Sequence, residues 1–539
     1  MKRVACSYVM LVVCALVATA APAPLTQGQK AWVAPARALP LEETTIEQLQ
    51  SWLKLGRYTS EALTRMYLER IRALDKQGPR INAIIELNPD ALKIAAAMDR
   101  ERRDGKLRGP LHGIPIVIKD NIDTADRMMT TAGSLALVGE PAAKDAFVVQ
   151  RLREAGAVIL GKTNLTEWAN WRGARSTSGW SGRGGQTRNP YALDRSPCGS
   201  SSGSGSAVAA NLAVAGIGTE TNGSIVCPAS VMSLVGIKPT LGLVSRSGIV
   251  PIAQSMDTAG PMARTVADAA ALLSAIAGAD PVDPATAEAN KHLESDYTRH
   301  LKADGLKGAR IGVARKRVTG YSPPTDRLLE RAVEDLRRLG AEIIDPADIG
   351  SLGDYTDSYV EVFHYEFKAG LNKYLAARTG VPIRSLKDAI EFNDKNKDRE
   401  MPYFGQERFL QAEAKGPLTD EAYREALQKC RKLSREGIDG VLQKHRLDAL
   451  VMPTGNPAWP TDYVNGDHFL GSSSTPAAIA GYPNITVPMG YVYGLPVGIS
   501  FTGTAWSEAT LIRLAYAYEQ GTKHRRPPKM LPTADLRAP

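Results

Sequence analysis

The chain has 539 residues, 43% hydrophobic and 23% charged, with 48 Gly, 34 Pro and 5 Cys. That balance excludes wholesale disorder, so few cysteines exclude a disulfide scaffold, and no apolar run beyond the first two dozen residues reaches the ~20 needed to span a bilayer. The 66 Lys and Arg against 57 Asp and Glu leave a charge of +9, spread without a basic block, which argues against nucleic acid as a partner.

Lys2 and Arg3, the apolar stretch from Val4 to Ala18 and the A-x-A site Ala18-Thr19-Ala20 have the three parts of a secretory leader. Residues 1–20 are therefore expected to be a signal peptide, with the mature protein exported to the periplasm or the exterior and no stable membrane insertion. Cys6 and Cys14 would leave with it. Cys198, Cys227 and Cys430 remain, an odd number, and are expected to be buried, reduced thiols. Residues 21–40, rich in Ala and Pro, read as a flexible lead-in, and residues 41–532 as the folded domain.

Thr45 to Leu55 and Thr59 to Leu74 are patterned as amphipathic helices, the second opened by Thr59-Ser60. Gly113-Ile-Pro-Ile-Val-Ile-Lys-Asp is an apolar run ending in charge, which predicts a strand buried on both faces. A helix from Ala146 to Glu154 stops at Gly156, and Ala157 to Leu160 is a short strand. The same alternation returns with a strand at Ile311 to Ala314, a helix capped by Thr325, and a strand at Ala341 to Ile344. Strands at Leu447 to Val451, Asn484 to Pro488 and Pro496 to Phe501 precede a closing helix from Ser507 to Glu519. With no composition break and no repeat, the pattern predicts one large α/β domain with a mixed, mostly parallel central sheet covered by helices.

Three motifs match on paper and fail in context. Gly156 to Thr163 satisfies G-x4-G-K-T, but its middle residues Ala-Val-Ile-Leu are themselves a strand and cannot form a phosphate cradle. Gly199 to Gly203 satisfies G-x-S-x-G, but a nucleophile elbow follows an apolar strand, and Asn189 to Cys198 is polar and broken by proline. Of the seven histidines only His468 lies near loop signals and late enough to act as its base, so an esterase is the weaker reading. Ser51 and Lys54 have S-x-x-K spacing on an amphipathic helix and read as a surface pair. No H-E-x-x-H and no C-x-x-C occurs, so neither metal nor cofactor is expected.

The tract Ser196 to Ser206 has the composition of a flexible linker. The residues after it argue otherwise: an Ala- and Val-rich stretch, Ala207 to Ala215, expected as a helix, and then Gly216-Ile-Gly-Thr-Glu-Thr-Asn-Gly-Ser224-Ile-Val-Cys-Pro-Ala-Ser230. Backbone N–H groups at such Gly-rich turns are suited to catalysis.

Here the sequence resembles the amidase signature family, from about Leu41 to about Pro532. The motifs that carry the likeness are Gly113 to Asn121, Thr130-Thr-Ala-Gly-Ser134, Gly161-Lys-Thr-Asn-Leu-Thr-Glu167, the Gly/Ser tract, the Ser224 segment and Gly481 to Gly490. Within the family, Gly184 to Tyr191, Asp257 to Arg264 and Gly503 to Glu508 look most like bacterial peptide amidases. The resemblance implies the amidase fold and a Ser–cisSer–Lys triad. Ser224 matches the nucleophile, Ser200 the bridging serine after a cis peptide at Gly199, and Lys119 the base. It departs from the family at Cys198, where Gly is common, and at Val226, where Arg is frequent.

Lysine has a free pKa of ~10.4, and desolvation behind the apolar run would have to lower it to ~7, a change of about 4–5 kcal/mol. Neutral Lys119 would then draw a proton from Ser200, and Ser200 from Ser224, whose Oγ attacks the amide carbon. N–H groups of Thr221, Asn222 and Gly223 with Ser224 are expected to hold the oxyanion. Ser201 either holds Lys119 or Ser200 in place or caps the following helix, while Thr163 and Asp257 brace the site. Trp168, Trp171 and Trp180 either wall the substrate pocket or merely pack. The expected activity is cleavage of carboxamide C–N bonds, on C-terminal peptide amides or on other small aliphatic or aryl amides. A subunit of an amidotransferase, also found in the family, is the less favoured reading because of the leader. The substrate is the one expected partner, and the oligomeric state is left open.

Overall fold

In the computed structural model, which describes residues 41–537, the apolar runs form strands and the amphipathic segments form helices laid over them. The expected leader and lead-in, with Cys6 and Cys14, lie outside the described residues. Helix starts follow local chemistry. Thr45 makes a reciprocal capping box with Gln48 ahead of the helix Ile46–Lys54. The Thr59 hydroxyl accepts the N–H of Ala62 at the start of Ser60–Arg70, which widens into a π-turn over Ile71–Lys76. The helix expected from Thr325 starts earlier, at Pro323, because proline is tolerated in a first turn; Ser322 is its N-cap.

Thirteen strands are present among the described residues: β1 (Ile84–Leu87), β2 (Pro115–Lys119), β3 (Val158–Thr163), β4 (Trp180–Ser181), β5 (Gly185–Gln186), β6 (Ala215–Glu220), β7 (Val235–Lys238), β8 (Thr258–Ala263), β9 (Arg310–Val313), β10 (Glu342–Ile344), β11 (Ala449–Pro453), β12 (Asn484–Val492) and β13 (Leu495–Thr502). All but the β4–β5 pair belong to one sheet, in the order β1-β3-β2-β6-β8-β7-β12-β13-β11-β9-β10. The sheet is mixed, as expected, but its balance differs from expectation. Four of its ten pairings are parallel and six antiparallel, because the β12–β13 hairpin and the β6–β8–β7 group reverse the chain direction at the centre. Gly161, Lys162 and Thr163 lie within β3, so the G-K-T match is indeed strand.

A main core joins both faces of the sheet to its helices. A second is built by the long helices Thr356–Ala377 and Glu421–His445 around Val250, Ile252, Trp168 and Trp171. The Gly/Ser tract belongs to this packed interior. It forms the helix Ser202–Ala209, all of it buried, so the helix begins earlier than expected and is over before β6 opens at Ala215. Small residues allow this. A Cβ on Gly203 would stand 2.4 Å from the carbonyl oxygens of Ala83 and Asn164, and its N–H donates to Asn164 O at 2.9 Å.

β2 runs parallel to β3 on one side and β6 on the other, so the carboxyl ends of the three strands open together. Their last residues are Lys119, Thr163 and Glu220. In open α/β sheets this end is where ligands bind.

Candidate active site

Lys119 Nζ donates to Ser200 Oγ at 2.7 Å, to Thr219 Oγ1 at 2.8 Å and to Thr219 O at 3.3 Å. Asn121 Nδ2 donates to the same Thr219 hydroxyl at 3.0 Å, fixing it from the far side. Burial pulls the Lys119 amine down to about 7, against the opposing pull of the Asp257 and Glu220 carboxylates. Ser200 is also fully buried, and the Gly199–Ser200 peptide is cis. The carbonyl of Ser200 itself accepts the N–H of Thr166 at 3.1 Å.

Ser224 sits on the turn after β6 and is 8% exposed, whereas Lys119 and Ser200 are at 0%. Of the three it is the one that solvent reaches. The N–H of Ser201 donates to Ser224 O at 3.1 Å, which sets the turn against the helix carrying the serine tract. No hydrogen bond joins the hydroxyls of Ser200 and Ser224; contacts of this kind tighten when substrate binds.

The turn is held from beneath by Glu220, a residue to which the sequence assigns no role. Its Oε1 accepts the N–H of Gly223 at 2.8 Å, and its Oε2 accepts those of Ile225 and Val226 at 2.7 and 3.0 Å. Gly223 adopts φ +84°, a conformation that favours glycine. Its amide, expected among the oxyanion donors, is committed to the carboxylate instead. The remaining N–H groups of the turn are those of Thr221, Asn222 and Ser224. Thr221 Oγ1 donates to Asp257 Oδ1 at 2.5 Å, and Asp257 Oδ2 accepts the N–H groups of Ile252 and Ala253. Burial raises Asp257 to about 6. Asn222 Oδ1 accepts from Ser474 at 2.7 Å and its Nδ2 donates to Thr475 at 3.1 Å.

Thr163 shares a 2.7 Å hydrogen bond with Ser204, tying the end of β3 to the serine helix. Ser201 supports Lys119 at one remove, through Thr219, and does not cap the helix. Its hydroxyl donates to Thr219 O at 3.0 Å and accepts the Thr219 N–H at 3.2 Å, so it fixes the residue that in turn holds Lys119. It makes no side-chain cap. It is fully buried, while His468 pairs with Asp462 at the exposed surface, so the G-x-S-x-G match has neither an open nucleophile nor a base.

The cysteines correct a further expectation. Cys198 and Cys227 form a disulfide, and only Cys430 is a buried free thiol among the described residues. Cys198 precedes Ser200 by two positions and Cys227 follows Ser224 by three, so bringing the serines together also brings the sulfurs together. No cluster of three His, Cys, Asp or Glu side chains that could hold a metal occurs among the described residues.

Two cavities reach the turn. One, of about 460 Å³, meets it at Asn222 and Gly223 and is lined by Gly199, the disulfide, Trp459 and Phe469. Another, of about 370 Å³, meets it at Thr219, Glu220 and Thr221 and is largely apolar, with Val250, Pro251 and Ile252 in its wall. Trp168, Trp171 and Trp180 line neither. Trp168 packs on Phe409, Trp171 on Phe363 and Trp180 on Tyr403 and Phe404. Their neighbours Ala169 and Asn170, at φ +53° and +72°, face the two cavities instead. The aromatic wall comes from Trp459, whose Nε1 donates to Asp467 Oδ1 at 3.0 Å and whose ring meets Phe469 edge-on.

The profile of the protein family described as Amidase matches residues 62–512. The solved structure of native peptide amidase from Stenotrophomonas maltophilia superposes with a TM-score of 0.87 at 55% identity, over 91% of this chain and 99% of that one. A probable amidase of Arabidopsis thaliana is 44% identical over 91% of this chain and 92% of its own length. A glutamyl-tRNA(Gln) amidotransferase subunit of Moorella thermoacetica is 36% identical over 90% of this chain and 98% of its own.

Proposed function

Since the chain belongs to the amidase signature family, whose members hydrolyse amides, we propose that it cleaves carboxamide C–N bonds through Ser224, Ser200 and Lys119, acting on C-terminal peptide amides. The observation that carries the reading is the buried 2.7 Å contact between Lys119 and Ser200, ending beside the turn of a partly open Ser224. With the amine neutral, the contact runs from Ser200 O–H to Nζ. Ser200 then accepts the Ser224 proton as Ser224 Oγ attacks the carbonyl carbon. Charge develops on the carbonyl oxygen, where the N–H groups of Thr221, Asn222 and Ser224 left free of Glu220 are at hand. The relay returns a proton to the departing nitrogen and ammonia leaves. Water, deprotonated along the same chain, cleaves the acyl-enzyme.

The likeness to a solved peptide amidase at 55% identity supports the peptide substrate. So does the larger cavity, whose Trp459 and Phe469 suit a side chain and whose many polar groups suit a peptide backbone. Residues 1–20 would direct export, so the enzyme would meet its peptides outside the cytoplasm. The test is incubation of the mature protein with a peptide amide, the corresponding free acid and a plain aryl amide. Ammonia release from the peptide amide with internal bonds intact supports the reading. Activity confined to the aryl amide removes the peptide assignment and leaves an amidase.

A further inference from the structure

We propose that the Cys198–Cys227 disulfide is a positioning link of the catalytic site, and that reducing it lowers turnover without unfolding the enzyme. The inference rests on the assignment of Ser200 and Ser224 to one relay. These residues lie on separate segments: Ser200 ends an extended loop that leads into the helix Ser202–Ala209, and Ser224 lies between β6 and the short helix Val226–Val231. The hydrogen bond from Ser201 N to Ser224 O joins them directly through the backbone. The disulfide is the covalent tie between the same two segments, anchored two positions before one serine and three positions after the other.

Each half-cystine is locked into its own segment. Ser202 Oγ donates to Cys198 O at 2.6 Å, and the N–H of Cys227 donates to Gly223 O at 2.8 Å. A pull on either sulfur is therefore transmitted to the residues flanking Ser200 and to the turn residue next to Ser224. Cys198 also stands at φ +52°, a left-handed conformation that glycine adopts without steric cost and that a side chain resists. A residue kept there for space-filling alone would be better replaced by glycine. Its sulfur is what the position supplies.

The bond borders a cavity. Cys198 and Cys227 are largely buried, and both line the larger cavity beside Asn222 and Gly223. A small dithiol entering that cavity attacks one sulfur to form a mixed disulfide. Its second thiol then closes to a cyclic disulfide, leaving Cys198 and Cys227 as thiols; the two electrons and two protons come from the reductant. The relay would then depend on noncovalent contacts alone, and small displacements of reacting groups weigh heavily on rate.

The experiment treats the purified full-length enzyme with dithiothreitol and follows bond opening by mass spectrometry. In the same samples it measures kcat and KM on a peptide amide, the labelling rate of Ser224 by a fluorophosphonate, and near-UV circular dichroism. The expected result is a fall in kcat and in labelling of about tenfold or more, with KM little changed and the dichroism retained, restored by oxidised glutathione. The double variant Cys198→Gly, Cys227→Ala, which relieves the left-handed position, should show the lowered kcat and no response to dithiothreitol. Full labelling of Ser224 with the bond open overturns the proposal, even if no amide is turned over. A loss of kcat that tracks loss of dichroism overturns it too, since the bond would then be a stability element only. Absence of labelling in both redox states overturns the nucleophile assignment and the link with it.

Discussion

Glu220 lies beneath Ser224 and takes backbone N–H groups on both sides of it: Gly223 before, Ile225 and Val226 after. One carboxylate thus shapes the turn that presents the proposed nucleophile. It also decides which amides of that turn remain for a substrate oxygen.

Replacing Glu220 with Gln keeps one acceptor and turns the other into a donor facing a backbone N–H. Because a buried donor left without a partner costs about 1–3 kcal/mol, Glu220→Gln should lower stability by that order. It should also reduce kcat more than it raises KM. Urea unfolding and steady-state kinetics on the same preparation check both. Unchanged kcat would remove Glu220 from the support of the site.

Ser224→Ala should abolish turnover, and trapping with a serine-reactive probe should place the adduct on Ser224. Lys119→Ala and Ser200→Ala should each cost several orders of magnitude, while the double variant costs little more, since members of one relay act as a unit. Additive losses in the double variant would break the relay.

Burial lowers the Lys119 amine to about 7, and in the proposed relay it serves as the base only when neutral. The acylation rate should therefore rise with pH, by about tenfold per unit below that value, and level off above it. A fluorophosphonate labelling profile, which does not depend on substrate choice, measures this. A rate that falls through the same range would mean that the protonated amine is the active form. EDTA should leave the rate unchanged.

Trp459→Ala removes the indole that lines the larger cavity and should raise KM for peptide amides with kcat nearly intact, the mark of lost uniform binding. Trp180→Ala is the contrast, because Trp180 packs on Tyr403 and Phe404 away from both cavities. It should cost about 3–5 kcal/mol of stability and leave KM in place. Measuring both variants separates wall from packing.

The elements legible in the sequence are those whose neighbours are close along the chain. Pro115 to Lys119, Val158 to Thr163 and the β12–β13 hairpin announce themselves by apolar runs and turn residues. Lys119, Ser200 and Ser224 are legible because the family motifs mark them. Glu220 is not, since its role is to accept N–H groups that only the folded turn aligns. Trp459 and Phe469 reach the site from more than 200 residues beyond Ser224, and no local pattern links them to it. The Trp168 to Trp180 group looks nearer in sequence and packs elsewhere. The disulfide does leave a signal: cysteines flank the two serines at short range, so a reading that pairs the serines already pairs the sulfurs. Between Ile344 and Leu447 no element is expected above, although two long helices there build the second core and one of them, Glu421–His445, buries Tyr423, Ala426, Cys430, Ser434, Ile438 and Val441 at helical spacing.

The order of strands in the sheet has a consequence for how the protein is made. β12 pairs with β7 and β13 with β11, so residues 484–502 stand in the middle of the sheet and join its N-terminal portion to β11, β9 and β10. The two halves cannot close on each other until residues 484–502 are available to bridge them. Until then the facing edges of β7 and β11 stay unpaired, which favours late, slow assembly and leaves the nascent polypeptide dependent on protection from aggregation.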